Sequence, residues 1–212
     1  MGLTHDATPG DTGVMAYAHD GRRERSVATA RAGDGTFLFL SRMAVDFALT
    51  GGVLGYESLF GRTDLQSWVQ AGFHVEVEVS DDGFAEARGM RQALWQVFRA
   101  SLDDDRLPAA AISVLNSMSR LPPITRQLDR SAQGWHWHRP VTLAEVMSAV
   151  ARDGIELLAV EDRSRLRECA ADNCALVFYD DSRSGLRRWC APQRCGDRTR
   201  ARDYRSRQKT TG

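Results

Sequence analysis

Apolar residues recur at helical spacing through most of the chain beyond residue 36. Spacings of three and four between apolar positions place them on one face of a helix, where they can pack against a core. A short apolar run at 37–40 precedes the first such segment and predicts a strand-like start. The pattern predicts five helices, at about residues 43–50, 64–72, 84–102, 108–121 and 142–158.

Polar residues that can cap helices lie at the starts of these segments. We expect Asp64 to cap the second helix and Asp81 or Asp82 to cap the third, because a short side-chain acceptor satisfies a free N–H of the first turn. Thr142 and Glu145 have the spacing of a capping box and mark the start of the fifth helix.

Two segments alternate apolar and polar residues, as strands do. Residues 74–79 predict either an edge strand or an extended linker between helices. Residues 124–130 and 135–139 flank a turn-like segment and predict a β-hairpin. In that hairpin we expect Trp135 and Trp137 to face the core and the two histidines to face solvent.

These elements together predict an α+β protein that is mostly α, with a helical body at 36–160 that includes a small β-hairpin. Residues 1–35 are rich in glycine, aspartate, threonine, alanine and arginine, and they show no hydrophobic period. Such a composition buries too little apolar surface to fold, so a disordered leader is predicted there.

The 212 residues are 42% apolar and carry no net formal charge, yet the charge is unevenly placed. The segment 182–209 has a net charge of +8, and the rest of the chain has a net charge of −8. A basic segment of this kind indicates a partner that is itself an anion. Ten cations against two anions make a merely solvated surface a weaker interpretation.

All four cysteines of the chain, Cys169, Cys174, Cys190 and Cys195, lie in its last quarter as two C-x4-C pairs. Two close pairs of thiolates separated by a short excursion are suited to one tetrahedral Zn²⁺. Two disulfides are the alternative. No signal-peptide pattern opens the chain, and no apolar run reaches about 18 residues, so we expect a cytoplasmic protein without a membrane partner, in which zinc is favoured over disulfides.

The segment from Leu166 reads LRECAADNCALVFYDDSRSGLRRWCAPQRCGDRTRARDYRSR. It resembles the CGNR zinc finger, and the body before it resembles the ABATE domain of stress-induced transcription regulators. The resemblance implies a zinc finger over residues 161–212 and a DNA-binding regulator. Asp197 stands where the family has asparagine; we expect it to cap a helix rather than to contact a phosphate.

The residues predict a small zinc-bound ββα-like module. The first cysteine pair should lie on a hairpin with 177–179 as its return strand, and the second should lead into a helix from about Gly196. On that helix Arg198, Arg202 and Arg205 form one stripe, together with Lys209. These three arginines and a second cluster in the excursion are the predicted contacts to double-stranded DNA. The second cluster contains Arg183, Arg187 and Arg188.

Two other functions stay open from the sequence. The basic surface could dock an acidic protein, including a second copy of the chain in a homodimer, and the thiolates could act as a redox switch. No motif of an enzyme is found, so no catalysis is expected. The helical body could also bind a small-molecule effector, with Trp68, Trp95, Trp135 and Trp137 as lining candidates, although a role in the core is favoured for them.

Overall fold

The computed structural model describes residues 28–32, 35–39, 42–51, 57–130, 134–160, 163–172 and 174–210, without the side chains of residues 28–39, 209 and 210. Six helices and three two-stranded antiparallel hairpins make up this part of the chain, which confirms an α+β fold that is mostly α. The helices are α1 (Met43–Ala48), α2 (Arg62–Phe73), α3 (Asp81–Leu102), α4 (Ala109–Ser119), α5 (Leu143–Ala159) and α6 (Asp197–Thr210). The hairpins pair β1 (Ala28–Ala32) with β2 (Gly35–Phe39), β3 (Arg126–Leu128) with β4 (Trp135–Trp137), and β5 (Leu166–Glu168) with β6 (Val177–Tyr179).

The first hairpin reaches into the predicted leader. β1 pairs with β2 in the register Ala28↔Phe39 to Ala32↔Gly35, so the prediction of a structureless leader up to residue 35 does not hold for β1. Residues 1–27 lie outside the described part of the chain. β2 occupies most of the predicted strand-like start at 37–40.

The core of the body is formed by α1, α2, α3 and α5, with α4 packed against α3 and α5. Trp68 is fully buried, with its ring centroid 4.8 Å from that of Phe47 and 5.9 Å from that of Phe73. Trp95 is half-buried against the same core. Trp68 therefore has the structural role that the sequence favoured.

Two helices begin at residues other than the predicted caps. The side chain of Ser80 accepts a hydrogen bond from the Gly83 N–H at 3.1 Å, so Ser80, not Asp81 or Asp82, caps α3. Asp64 lies in the first turn of α2 and accepts the Gly61 N–H at 2.8 Å, so Gly61 is the N-cap residue. The Thr142–Glu145 capping box at α5 is confirmed.

The second hairpin confirms the pairing predicted between 124–130 and 135–139, over a shorter length. Trp137 packs against the core and both histidines are exposed, as predicted, whereas Trp135 does not enter the core. Trp135 is 44% exposed and Trp137 is half-buried, because the hairpin lies on the surface and Trp137 donates its indole N–H to the Phe73 carbonyl at 2.7 Å. The guanidinium of Arg126 lies over the Trp135 ring, 3.8 Å from its centroid.

A buried ion pair joins α1 to α5. Nη2 of Arg42 lies 2.6 Å from the Asp153 carboxylate, and the other carboxylate oxygen accepts the Ala44 N–H at 2.8 Å. Asp153 therefore caps α1 from another helix, since Arg42 at the N-cap position has no acceptor of its own. Burial raises the pKa of Asp153 to about 6, although the charge of Arg42 opposes the shift.

Gly154 allows α5 to approach its neighbours closely. A Cβ built on Gly154 would lie 2.7 Å from Leu94 Cδ2 and 3.3 Å from Ala44 Cβ. We expect Gly154→Ala to lower the free energy of unfolding by about 1–3 kcal/mol, because overpacking outweighs the better helix propensity of alanine. Urea unfolding followed by circular dichroism measures the change.

Gly89 supplies the matched control for that substitution. It is exposed in the middle of α3, and a Cβ at this position would meet nothing within 4 Å. Gly89→Ala should therefore stabilise the protein by about 0.5–1 kcal/mol. Equal effects of the two substitutions would contradict the close packing at Gly154.

Among the described helices, none is long and apolar enough to cross a bilayer.

Candidate metal centre and arginine surface

The first cysteine pair lies in the loop that connects β5 to β6. Cys169 follows β5 directly, and its N–H donates to the Leu176 carbonyl at 2.9 Å. The Cys174 N–H donates to the Ala171 carbonyl at 2.9 Å, which closes a tight turn between the two cysteines. The predicted hairpin and its return strand, β6, are therefore confirmed.

The second pair lies on the segment that enters α6. Residues Pro192–Gly196 form one turn of π-helix, in which the Cys195 N–H donates to the Ala191 carbonyl at 2.8 Å. The Cys190 N–H points at Cys169 Sγ, 3.4 Å away, and so ties the second pair to the first. α6 begins at Asp197, as expected from the sequence.

The four sulfur atoms all lie within 4.8 Å of one another. Cys190 Sγ is 3.7 Å from both Cys174 Sγ and Cys195 Sγ. Four ligands at the usual Zn–S length of about 2.3 Å in a tetrahedron are separated by about 3.8 Å, whereas a disulfide needs about 2.05 Å. The cluster thus fits one structural Zn²⁺ and does not fit two disulfides.

The protonation of the thiols also suits a cation. Hydrogen bonding from Cys190 lowers the pKa of Cys174 to about 5. Burial raises the pKa of Cys195 to about 11, and the hydrogen bond to Cys174 together with burial raises the pKa of Cys190. Negative charge on one sulfur therefore disfavours it on the others, and a bound Zn²⁺ removes this conflict because it stabilises all four as thiolates.

The excursion between the cysteine pairs is organised by Asp180. This fully buried side chain accepts the Ser182 N–H at 3.0 Å and the Arg187 N–H at 2.7 Å. Burial alone would raise the pKa of Asp180, but these hydrogen bonds hold it below its ordinary value. Arg165 braces the same loop by donating to the carbonyls of Asp180 and Ser182 at 3.0 and 2.8 Å.

The prediction that Arg187 contacts DNA does not fit its position in the structure. Its guanidinium turns inward and donates to the Trp189 carbonyl at 2.9 Å and to the Cys190 carbonyl, and it lies over the Phe178 ring. Its other nitrogen lies 3.4 Å from the Asp181 carboxylate. Arg187 is therefore a structural brace of the metal centre. Sequence reasoning missed this because a charge count does not distinguish inward from outward arginines.

The other five predicted arginines are exposed. Arg198, Arg202 and Arg205 line one small cleft of about 110 Å³ beside the metal centre, together with Thr199 and Asp172. Nη2 of Arg198 lies 3.7 Å from Cys195 Sγ, and Arg202 pairs with Asp172. The structure thus brings the three stripe residues together. The side chain of Lys209 lies outside the described part of the chain.

Trp189 connects the excursion to α6. The guanidinium of Arg188 lies 5.2 Å from the centroid of the Trp189 ring, and that of Arg200 lies 5.8 Å from it. Arg183 is exposed on the same loop as Arg188. Asp197 is the first residue of α6, and its carboxylate pairs with Arg200; within the described structure it makes no capping hydrogen bond, so the capping prediction is wrong. Arg200, which lies off the predicted stripe, is therefore a surface residue that the sequence missed.

The module shares its core with the body. All three residues of β6 are buried in the same apolar cluster as α1, α3 and α5. Tyr179 lies under the Arg42 guanidinium, 5.8 Å from ring centroid to Cζ, and Arg99 of α3 pairs with Glu168 of β5 at 2.5 Å. The metal centre is therefore mounted on the body and not on a free linker.

Comparison with known proteins agrees with this architecture. Residues 41–161 match the model of ABATE, described as "Putative stress-induced transcription regulator", and residues 165–208 match that of the CGNR zinc finger. No curated protein matches the chain. The first match covers more than half of the 212 residues, and the second contains all four cysteines. The chain belongs to the ABATE family of regulators, with a CGNR zinc finger that holds one structural zinc ion.

Proposed function

We propose that the protein is a transcription regulator that binds double-stranded DNA through the arginines around its zinc centre. The observation that carries the proposal is the cleft lined by Arg198, Arg202 and Arg205. Guanidinium groups bind phosphate oxygens in a bidentate manner, and three of them at one small cleft match the charge and the size of a phosphate group.

The carboxylates near the cleft do not neutralise it. Asp172 pairs with Arg202, but the two side chains are 62% and 47% exposed, and an ion pair in such a position contributes about 0–1 kcal/mol. Arg198 and Arg205 make no ion pair in the described part of the chain. A phosphate can therefore displace Asp172 from Arg202 with little loss of interaction free energy.

The helix α6 supports duplex DNA as the partner. From Asp197 to Gln208 every side chain is exposed except that of Thr199, which is half-buried. Beyond its attachment at Cys195, α6 has no packed face, so its polar side chains are available to a partner. The major groove admits one α-helix, and phosphates flank it on both sides. Trp189 is only half-buried between Arg188 and Arg200 and offers no row of stacking aromatics for single strands.

The zinc ion has a structural role in this proposal. Four sulfur ligands complete its tetrahedral coordination and leave no position for a substrate, and we propose no enzymatic step at the site. A small-molecule effector in the body and a homodimer remain compatible with the proposal, and neither is needed for the DNA contact.

Replacing Arg198 and Arg205 with alanine tests the proposal. Neither residue is paired with a carboxylate in the described structure, so the substitutions leave no charge without a partner and the fold should survive. We expect affinity for a fluorescent 30-base-pair duplex of random sequence to fall about tenfold for each phosphate that the variant no longer binds, at about 50 mM salt. Fluorescence anisotropy measures the binding, and the decrease should be similar for different sequences.

The matched control is Arg88→Ala/Arg106→Ala, which removes two exposed cations from the body. It should leave the affinity nearly unchanged. Equal decreases in both double variants would contradict a localised surface. No binding by the wild-type protein at low salt, together with a homodimer that Arg198→Ala/Arg205→Ala disrupts, would instead support docking of the basic surface on an acidic protein.

A further inference from the structure

The segment between α2 and α3 has the side-chain pattern of a strand. Val75, Val77 and Val79 are buried at 1%, 6% and 8% exposure, whereas Glu76 and Glu78 are exposed. This alternation is that of an extended chain with one face on the core. The segment is nevertheless not part of a sheet in the described structure.

The backbone of this segment is largely without partners. Within the described part of the chain, no backbone hydrogen bond joins residues 75–79 to another element. Only the Val77 carbonyl is engaged, by Nε2 of Gln66 at 3.1 Å. Backbone N–H and C=O groups of a strand are nearly always paired, and an open row of them is a template for another strand.

A groove runs beside this open edge. One part, of about 670 Å³, lies between Glu76, Val77 and Glu78 on one side and Gln66, Ser67 and Gln70 of α2 on the other. A second part, of about 590 Å³, shares Gln66 and Glu78 with the first and continues to Ser80. The side chain of Gln66 crosses the groove to the Val77 carbonyl, so an extended chain between α2 and residues 75–79 has to displace this one hydrogen bond. Arg62 also lines the second part, where it pairs with Asp81 at 3.3 Å. At about 3.3 Å per residue the segment has the length of an ordinary strand.

We propose that residues 75–79 bind an extended basic peptide of a partner protein by β-strand addition. The backbone groups of the segment supply the hydrogen bonds, and α2 forms the opposite wall of the groove. Glu76 and Glu78 make no ion pair in the described structure, and they face solvent two residues apart. A strand paired with this edge places alternate side chains beside them, so lysine or arginine at every second position completes the charge match.

A second copy of this chain does not fit the edge. In a two-fold antiparallel pair that keeps the valines of both copies buried, Val77 faces Val77 and Glu76 faces Glu78. Four carboxylates then lie on one face in directly opposed pairs, which is destabilising. A shift by one residue relieves this repulsion only by exposing one set of valines. The charge pattern therefore favours a basic partner over self-association.

The test uses the full-length, zinc-loaded protein and a fluorescent nine-residue peptide of alternating arginine and threonine. We expect saturable binding by anisotropy and slower hydrogen exchange of the amides in residues 75–79. Two further peptides have every second backbone nitrogen methylated, in either of the two alternating sets. Methylation of one set of nitrogens should abolish binding, and methylation of the other set should leave the affinity unchanged. The reason is that only one edge of an added strand forms hydrogen bonds with the protein.

The charge match is tested by Glu76→Arg/Glu78→Arg, with Glu86→Arg/Asp105→Arg as a control that has the same net charge. The first pair should weaken binding at least tenfold and give binding to an alternating glutamate–threonine peptide. The control should change the affinity less than threefold. The proposal is overturned if no peptide binds, if both methylated peptides bind like the parent, or if the two double variants are weakened equally. The methylation result uses the wild-type protein and so does not depend on how the variants fold.

Discussion

Replacing Cys190 with serine is expected to remove the zinc ion and to unfold the module from about residue 163 to 210. Cys190 Sγ lies 3.7 Å from two of the other three sulfurs, so its replacement removes one of the four zinc ligands. Structural zinc supplies about 10–16 kcal/mol of apparent folding free energy in small modules. The apolar residues of β6 pack on the body and leave the excursion and α6 with little core of their own.

Native mass spectrometry and hydrogen exchange measure this effect. The wild-type protein should hold one zinc ion per chain, and the variant none. Amides of β5, β6 and α6 should lose protection, whereas those of α3 and α5 should keep most of theirs. A chelator should reproduce this in the wild-type protein, and added zinc should reverse it there but not in the variant. A Cys190→Ser protein that retains zinc and protection would contradict the role of this ligand.

Replacing Asp153 with leucine is expected to lower the free energy of unfolding by about 3–5 kcal/mol. The substitution removes the Asp153 carboxylate from the fully buried guanidinium of Arg42 and leaves the Ala44 N–H without the Asp153 acceptor. The raised pKa of Asp153 shows that burial of the charged form is itself unfavourable. The ion pair is therefore costly to break and adds little beyond what two apolar residues would give.

The double variant Arg42→Met/Asp153→Leu should consequently be closer to wild type than Asp153→Leu alone. Urea unfolding of the two single variants and the double variant gives the coupling free energy between the two positions. We expect a coupling of at least about 2 kcal/mol. Additive effects would show that the two side chains act separately. Because the Arg42 guanidinium also lies over the Tyr179 ring of β6, hydrogen exchange in β6 should report the same destabilisation.

The elements that rest on local patterns were predicted from the sequence. The Thr142–Glu145 box, the helical periods and the two cysteine pairs each depend on residues close together in the chain, and the structure confirms them. Asp81 and Asp82 were the predicted caps of α3. Ser80 is the N-cap residue instead, so the helix begins at Asp81. A cap is chosen by where the chain turns, which a local pattern fixes only to within a few residues.

The features that depend on tertiary contact were not predicted. Arg187 was counted as surface charge, yet the carbonyl of Cys190 and the ring of Phe178 hold it inward. Trp135 was placed in the core because strand alternation puts it on the same face as Trp137, yet it is 44% exposed on a surface hairpin. The Arg42–Asp153 pair joins residues 111 positions apart, and nothing in the local sequence links them. Each case needs the position of a distant element.

The salt dependence of DNA binding tests most directly whether the zinc centre presents an arginine surface to a polyanion. If the exposed arginines 183, 188, 198, 200, 202 and 205 contact phosphates, the logarithm of the association constant should fall with the logarithm of salt at a slope of about −5. The zinc-loaded protein should show this slope, and the zinc-stripped protein should bind at least tenfold more weakly with a shallower one. A slope near zero, or identical curves with and without zinc, would contradict the account.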